Sequence, residues 1–208
     1  MQLNSLVLLV IVAKEIVNMN LNRLFDDFNE FCKFILKSKI KKNDICVDAT
    51  MGNGNDTLFL KTCSGIDGKV YAFDIQKQAL LNTKIKLEEA KLYNNVHLIN
   101  DGHENINNYI NENIDFIIFN LGYLPKGDKN IITKKETTIK AIKESLKLLK
   151  KKGVMCIMSY YGHKGGLDEK NSLIDFLEKL NYLEYNIIKF DFLNKKNSPP
   201  ILFLIEKK

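Results

Sequence analysis

Short apolar runs alternate along this chain with longer segments whose apolar residues recur every three or four positions. Ile45–Ala49, Lys69–Phe73, Asn95–Ile99, Ile114–Phe119 and Gly153–Ser159 are runs of strand length, rich in the β-branched and aromatic residues that suit a buried strand. Between them lie Asp56–Cys63, Gln76–Lys91, Glu104–Ile110, Lys135–Leu149 and Leu167–Leu180, which have helical periodicity. A further amphipathic helix is expected at Leu21–Leu36, joined by the basic connector Lys37–Asn43. This alternation predicts a parallel sheet with helices on both faces. The last two runs, Glu184–Phe190 and Ile201–Ile205, have no helix between them and should pair as an antiparallel hairpin. The expected fold is α/β and Rossmann-like: a mostly parallel seven-stranded sheet ending in an antiparallel C-terminal hairpin.

Leu6–Ala13 is a continuous apolar run, too short to span a bilayer as a helix and without the pattern of a signal peptide. Residues 1–18 are therefore read as an apolar extension that offers a dimer contact, and 19–208 as one catalytic domain. The 208 residues are 45% hydrophobic and 27% charged, a globular balance. A net charge of +6 is compatible with an anionic partner such as RNA, but the lysines are widely spread. Cys32, Cys46, Cys63 and Cys156 form no CxxC pair, and His97, His103 and His163 lie far apart. No metal site is expected. Buried free thiols suit a reducing, cytoplasmic setting.

The chemistry concentrates where strands end. Val47-Asp48-Ala49-Thr50-Met51-Gly52-Asn53-Gly54-Asn55-Asp56-Thr57 runs from a strand through a glycine turn into a helix. Glycines there let the backbone approach a ligand, at the edge where open α/β sheets bind them. Thr57 stands where a dinucleotide-binding loop has its third glycine, so a ligand with an amino-acid end is favoured over a pyrophosphate. Asp48, Asn53 and Asn55 suit its ammonium and carboxylate. A tight turn with no ligand is the alternative. Asp74 ends the second strand, where a carboxylate can accept both hydroxyls of a ribose, with Gln76 just beyond; an N-cap is its other reading. Gly102 and His103 follow the third strand, bordering an adenine in this fold; a surface histidine is the alternative.

Asn120-Leu121-Gly122-Tyr123-Leu124-Pro125 follows the fourth strand. A polar residue and an aromatic one after an apolar strand is the layout of methyltransferases acting on amino nitrogens. The Asn120 oxygen can accept amine hydrogens and aim the lone pair, and Tyr123 can stack on a base. Leu121-Gly122 replaces the two prolines of that motif, and a structural turn is the competing reading. Ser159–Gly166 and Asn194–Pro200 mix aromatic, basic and flexible residues, as an RNA-facing rim would; ordinary solvated loops are the alternative.

The ordered set DATMGNGNDTLFL, YAFDIQ, DGHEN, FNLGYLPKGDK, TKKETT, YYGHKGG and NKKNSPP closely resembles the family long labelled "putative rRNA methylases", typified by bacterial tRNA 5-aminomethyl-2-thiouridine methyltransferases. The resemblance runs from about Met19 to the C-terminus. Family members begin near a pattern that Met19-Asn20-Leu21-Asn22-Arg23 matches, which suggests a translation start at Met19 or a packed N-terminal helix. The resemblance implies the Rossmann-like sheet of S-adenosylmethionine (SAM)-dependent methyltransferases, with SAM as cofactor and tRNA as partner. The implied reaction methylates the exocyclic amine of 5-aminomethyl-2-thiouridine at the wobble position. It carries SAM contacts onto Asn53, Asn55, Asp74, Gln76, Gly102 and His103; Asn120 and Tyr123 are the substrate-side candidates. Methylation of rRNA or of a small amine, a nicotinamide-dependent oxidoreductase, and a non-catalytic RNA-binding protein are the rivals.

Overall fold

A computed structural model describes residues 27–122 and 132–208. The expected boundary at 18/19, the Met19 start and Tyr123 lie outside the described residues. The chain divides after Lys39 into two units. The described part of the first is helix α1 (Phe28–Lys39), whose buried residues Phe28, Cys32 and Leu36 recur every fourth position, one stripe of a 3.6-residue helix.

The second unit alternates as the apolar pattern predicts. Its elements are β1 (Ile45–Asp48), α2 (Asn55–Ser64), β2 (Lys69–Phe73), α3 (Lys77–Glu89) and β3 (Val96–Ile99), then a 3-10 helix (His103–Asn108), β4 (Ile114–Leu121), α4 (Lys135–Leu148), β5 (Leu149–Ser159), α5 (Gly166–Leu177), β6 (Tyr185–Phe190) and β7 (Ile201–Lys207). The seven strands form one sheet in the order β3-β2-β1-β4-β5-β7-β6. β1 pairs parallel with β2 and β4, β2 with β3, and β4 with β5. β7 runs antiparallel between β5 and β6.

Central strands covered on both faces are apolar throughout rather than alternating. Val154–Ser159 and Ile201–Ile205 are accordingly buried at every position. Val47, Phe73, Ile117, Phe119, Ile157 and Phe203 belong to one core. Strands β4, β5 and β7 run longer than the sequence expectation, β7 through Lys207. β4 runs on through Asn120 to Leu121, because those residues stay in register with Met158 and Ser159 of β5. β5 begins at Leu149, which pairs with Ile114 before a register shift, so the charged Lys150–Lys152 enter the sheet irregularly. Cys46 and Cys156 are buried and Cys63 partly so. Among the described residues, no helix is long and apolar enough to cross a membrane, and no cluster of His, Cys, Asp or Glu could hold a metal ion.

Candidate active site

From β1 the chain steps to β2 and β3 on one side, then returns to β4 on the other. The crevice at that reversal is where open α/β sheets bind ligands, and both strong sequence motifs end there. The β1 turn is held by glycine geometry. Gly52 has φ 51° and Gly54 φ 74°, a left-handed backbone that disfavours any side chain. A Cβ on Gly54 would lie 2.7 to 2.9 Å from the side chain of Thr83 on α3. This glycine therefore supplies the close helix approach that Thr57 cannot.

Thr57 has another task. Its hydroxyl donates to Asp48 Oδ2 at 2.6 Å, and the backbone N–H of Thr50 donates to Asp48 Oδ1 at 3.2 Å. Asp48 is wholly buried. Burial, reinforced by the neighbouring Asp56 carboxylate, pushes its pKa up to about 7, despite the two hydrogen bonds that favour the charged form.

Thr50 links this loop to the next strand. Its Oγ1 accepts the backbone N–H of Asn120 at 2.7 Å. The Asn120 amide in turn donates from Nδ2 to Asp56 Oδ2, at the first turn of α2. A carboxylate only accepts, so this bond fixes which way the amide faces. Asn120 Oδ1 is thereby left buried, with no hydrogen-bond partner among the described residues. A buried acceptor in that condition costs about 1–3 kcal/mol until a donor reaches it.

The SAM-side candidates line the β2 and β3 ends. Asp74 accepts Gly52 N–H on Oδ2 at 3.0 Å and Gln76 N–H on Oδ1 at 2.9 Å. Gln76, not Asp74, is the residue preceding α3. Burial raises the Asp74 pKa. Gly102 is buried, and its N–H donates to Asp101. His103 is 8% exposed, and its ring lies edge-on to Phe119 at 5.7 Å. Its Nδ1 is 3.1 Å from the Ala49 carbonyl, which can only accept, so Nδ1 carries the proton. Burial holds its pKa below the usual histidine value. The neutral ring thus ties the β3 loop to the β1 loop.

Asn53 and Asn55 face α3: Asn53 Oδ1 accepts from Asn82 at 2.9 Å and Asn55 Oδ1 from Lys86 Nζ. Their side-chain oxygens hold the loop on the helix. The structure thus brings Asp74, Gln76, Gly102, His103 and Asn120 to one end of the sheet, with Asn53 and Asn55 on its α3 side. Sequence reasoning missed Thr50, Asp56 and Thr57 as working members. The one-turn spacing of Asp56 from the glycine turn was their only signal.

A left-handed glycine turn, a carboxylate after β2 and a buried acceptor without a partner among the described residues thus lie at one end of the sheet. A family model described as "Putative rRNA methylase" matches residues 70–206. A tRNA (mnm5s2U34)-methyltransferase, chloroplastic, of Arabidopsis thaliana is 36% identical over 188 residues, covering 86% of this chain and 69% of that protein. A putative rRNA-methylase of Clostridium thermocellum superposes with a TM-score of 0.84 at 42% identity, covering 85% of this chain and 95% of that one. A putative methyltransferase of Streptococcus mutans, solved in complex with SAH, gives 0.79 at 44% identity, covering 86% and 97%. Fold, site and relatives together make this chain a SAM-dependent methyltransferase, and it belongs to the family described as "Putative rRNA methylase".

Proposed function

We propose that this enzyme methylates the exocyclic amine of 5-aminomethyl-2-thiouridine at the wobble position of tRNA, giving 5-methylaminomethyl-2-thiouridine. The observation that carries this reading is the Asn120 amide, its Nδ2 engaged by Asp56 and its Oδ1 buried without a partner among the described residues. An amine is the group that suits it. Its hydrogens satisfy the buried oxygen, and accepting them turns the nitrogen lone pair into the crevice. The name of the Arabidopsis thaliana relative, a tRNA (mnm5s2U34)-methyltransferase, supports the choice of nucleoside.

SAM supplies a methyl carbon activated by its sulfonium. Asp74 and Gln76 would hold its ribose side, Gly102 and the adjoining loop its adenine, and the Gly52–Gly54 turn its amino-acid end. Asn53 and Asn55 would act there chiefly by fixing the turn on α3. The acceptor amine must shed a proton before it attacks, and burial favours the neutral form. Asp56 opposes this by attracting the cation. Burial pushes the pKa of Asp48 up to about 7, which lessens the negative charge beneath the loop relative to a free carboxylate. Tyr123, the proposed stacking partner of the base, belongs to the same reading.

Nucleoside mass spectrometry tests it. Transfer RNA from a strain lacking the gene should accumulate the aminomethyl nucleoside, and purified enzyme with SAM should convert it. No conversion overturns the reading. Methyl incorporation into ribosomal RNA instead would favour the substrate in the family's description.

A further inference from the structure

Helix α3 meets the glycine turn after β1 with a polar stripe. Gln78, Asn82 and Lys86 recur every fourth residue, so they share one face of the helix. Gln78 Nε2 donates to Asn82 Oδ1 at 2.7 Å, and Asn82 Nδ2 donates to Asn53 Oδ1 at 2.9 Å. Lys86 Nζ donates to Asn55 Oδ1. Thr83, on the same side of the helix, donates from Oγ1 to the Gly52 carbonyl at 3.3 Å.

The bonds that fix the turn also decide which end of each amide is left for a ligand. An asparagine has an acceptor oxygen and an NH2 group that only donates. A lysine ammonium only donates, so Lys86 must take the oxygen of Asn55. Asn82 has its own oxygen occupied by Gln78, offers Asn53 a donor, and likewise takes its oxygen. Both asparagines of the turn therefore keep their NH2 groups as the part a ligand can meet. Two donor groups two residues apart suit a carboxylate, which accepts on both oxygens. They do not suit an ammonium, which accepts nothing. The β4 side of the turn is acidic instead, where Asp56 bonds Asn120. The amino-acid end of SAM carries one group of each kind, and the α3 side is the one that matches its carboxylate.

We propose that Asn82, seated by Gln78, is a positioning residue for the cofactor: it turns the Asn53 amide so that its NH2 group, with that of Asn55, meets the carboxylate of SAM. This rests on Asn53 and Asn55 lining the SAM site, and goes beyond the choice of nucleoside.

Calorimetry with two ligands tests it. S-adenosylhomocysteine carries the amino-acid end, whereas 5′-methylthioadenosine has the same adenosine and thioether without it. Asn82→Leu lets the Asn53 amide turn either way. It should weaken S-adenosylhomocysteine about tenfold, the worth of one charge-assisted hydrogen bond, and leave methylthioadenosine within about twofold of wild type. Asn82→Asp has nearly the native shape but only accepts, and so draws the Asn53 NH2 group toward α3. It should weaken S-adenosylhomocysteine more than Asn82→Leu does, in high salt as well, where repulsion between separated carboxylates is screened. Lys84→Ala, on the exposed side of the same helix, where its ammonium lies 3.7 Å from Glu88, should bind both ligands like wild type. Equal losses for the two ligands, or tighter S-adenosylhomocysteine binding by Asn82→Asp than by Asn82→Leu, overturn the proposal. If Asn53→Ala costs affinity for S-adenosylhomocysteine and Asn82→Leu does not, the positioning role fails and the SAM contact stands; if Asn53→Ala costs none, both fall. Neither ligand has a methyl group to transfer, so none of these outcomes bears on which nucleoside is methylated.

Discussion

Replacing Thr57 with valine should destabilise the fold more at high pH than at low pH. Valine keeps the shape of the side chain and removes one hydroxyl, the donor to Asp48 Oδ2 at 2.6 Å. Asp48 is wholly buried, and its pKa rises from 3.8 to about 7 on folding. A folded-state pKa above the unfolded value means that the fold prefers the protonated acid. The associated stability is present below about pH 4 and is lost as pH rises through about 7, a swing of order 4 kcal/mol at 1.36 kcal/mol per unit. Above that window Asp48 is an ionised carboxylate with no cation bonded to it among the described residues, and the Thr57 hydroxyl offsets part of its cost. Hydrogen bonds to charged groups contribute about 1.5–3 kcal/mol, and those to neutral groups about 0.5–1.5.

Thr57→Val should therefore cost about 1.5–3 kcal/mol at pH 8.5 and about 0.5–1.5 at pH 5.5. The Asp48 pKa should climb by about a further unit. Urea unfolding of wild type and variant at both pH values, with equal m-values, measures this. Comparing the two proteins at each pH cancels the titration of Asp74 and His103, which Thr57 does not touch. Asp56 remains beside Asp48 in both proteins, and Thr50 N–H still donates to Oδ1. A cost that is equal at the two pH values, or larger at pH 5.5, would refute the account of a charged acid stabilised by that hydroxyl.

Asn120→Ala should lower turnover about a hundredfold or more while leaving SAM affinity, read by calorimetry, within about threefold of wild type; unchanged turnover removes Asn120 from the reaction. Asp74→Asn takes away one acceptor oxygen from the carboxylate proposed to hold the ribose and should weaken SAM binding about tenfold or more, with turnover recovered at saturating SAM. Gly54→Ala should cost about 2–5 kcal/mol in urea unfolding, from the left-handed backbone and the overpacking against Thr83. Adding Thr83→Ala should restore part of that cost, because the Oγ1 and Cγ2 contacts at 2.7 and 2.8 Å disappear.

The layers of this fold could be read from local pattern because each central strand is one short apolar run, and the missing helix between β6 and β7 announced the antiparallel pair. Asn120 was legible for the same reason: it is the first polar position after Phe116–Phe119. Its partners were not. Asn120 meets Thr50 and Asp56 across 70 and 64 residues of chain, and no local periodicity encodes that meeting. Lys61 shows the same limit in the core. It sits in α2 where a lysine reads as solvent-facing, but it is buried and donates to the carbonyls of Ile66 and Gly68 at 3.0 and 2.7 Å.

Glu169 extends this logic to the far side of Asn120. It lies in the first turn of α5 and is only 2% exposed. Its Oε2 accepts the Thr133 hydroxyl at 2.8 Å and its Oε1 the Thr138 hydroxyl at 2.5 Å. Thr133 N–H in turn donates to the Gly122 carbonyl at 2.9 Å, two residues beyond Asn120. The conspicuous TKKETT stretch thus places hydroxyls at both ends for one buried carboxylate. Asp48 on the β1 side and Glu169 on the α5 side are both held by threonine hydroxyls, with no cation bonded to either carboxylate among the described residues. A lysine in either place would neutralise the acid, but it would also bring in a long, mobile side chain. Hydroxyl-held acids instead join the end of β4 to β1, α4 and α5 through short side chains with few rotamers. That rigidity suits an amide whose buried oxygen has no partner among the described residues and is proposed to meet an incoming amine in a fixed direction.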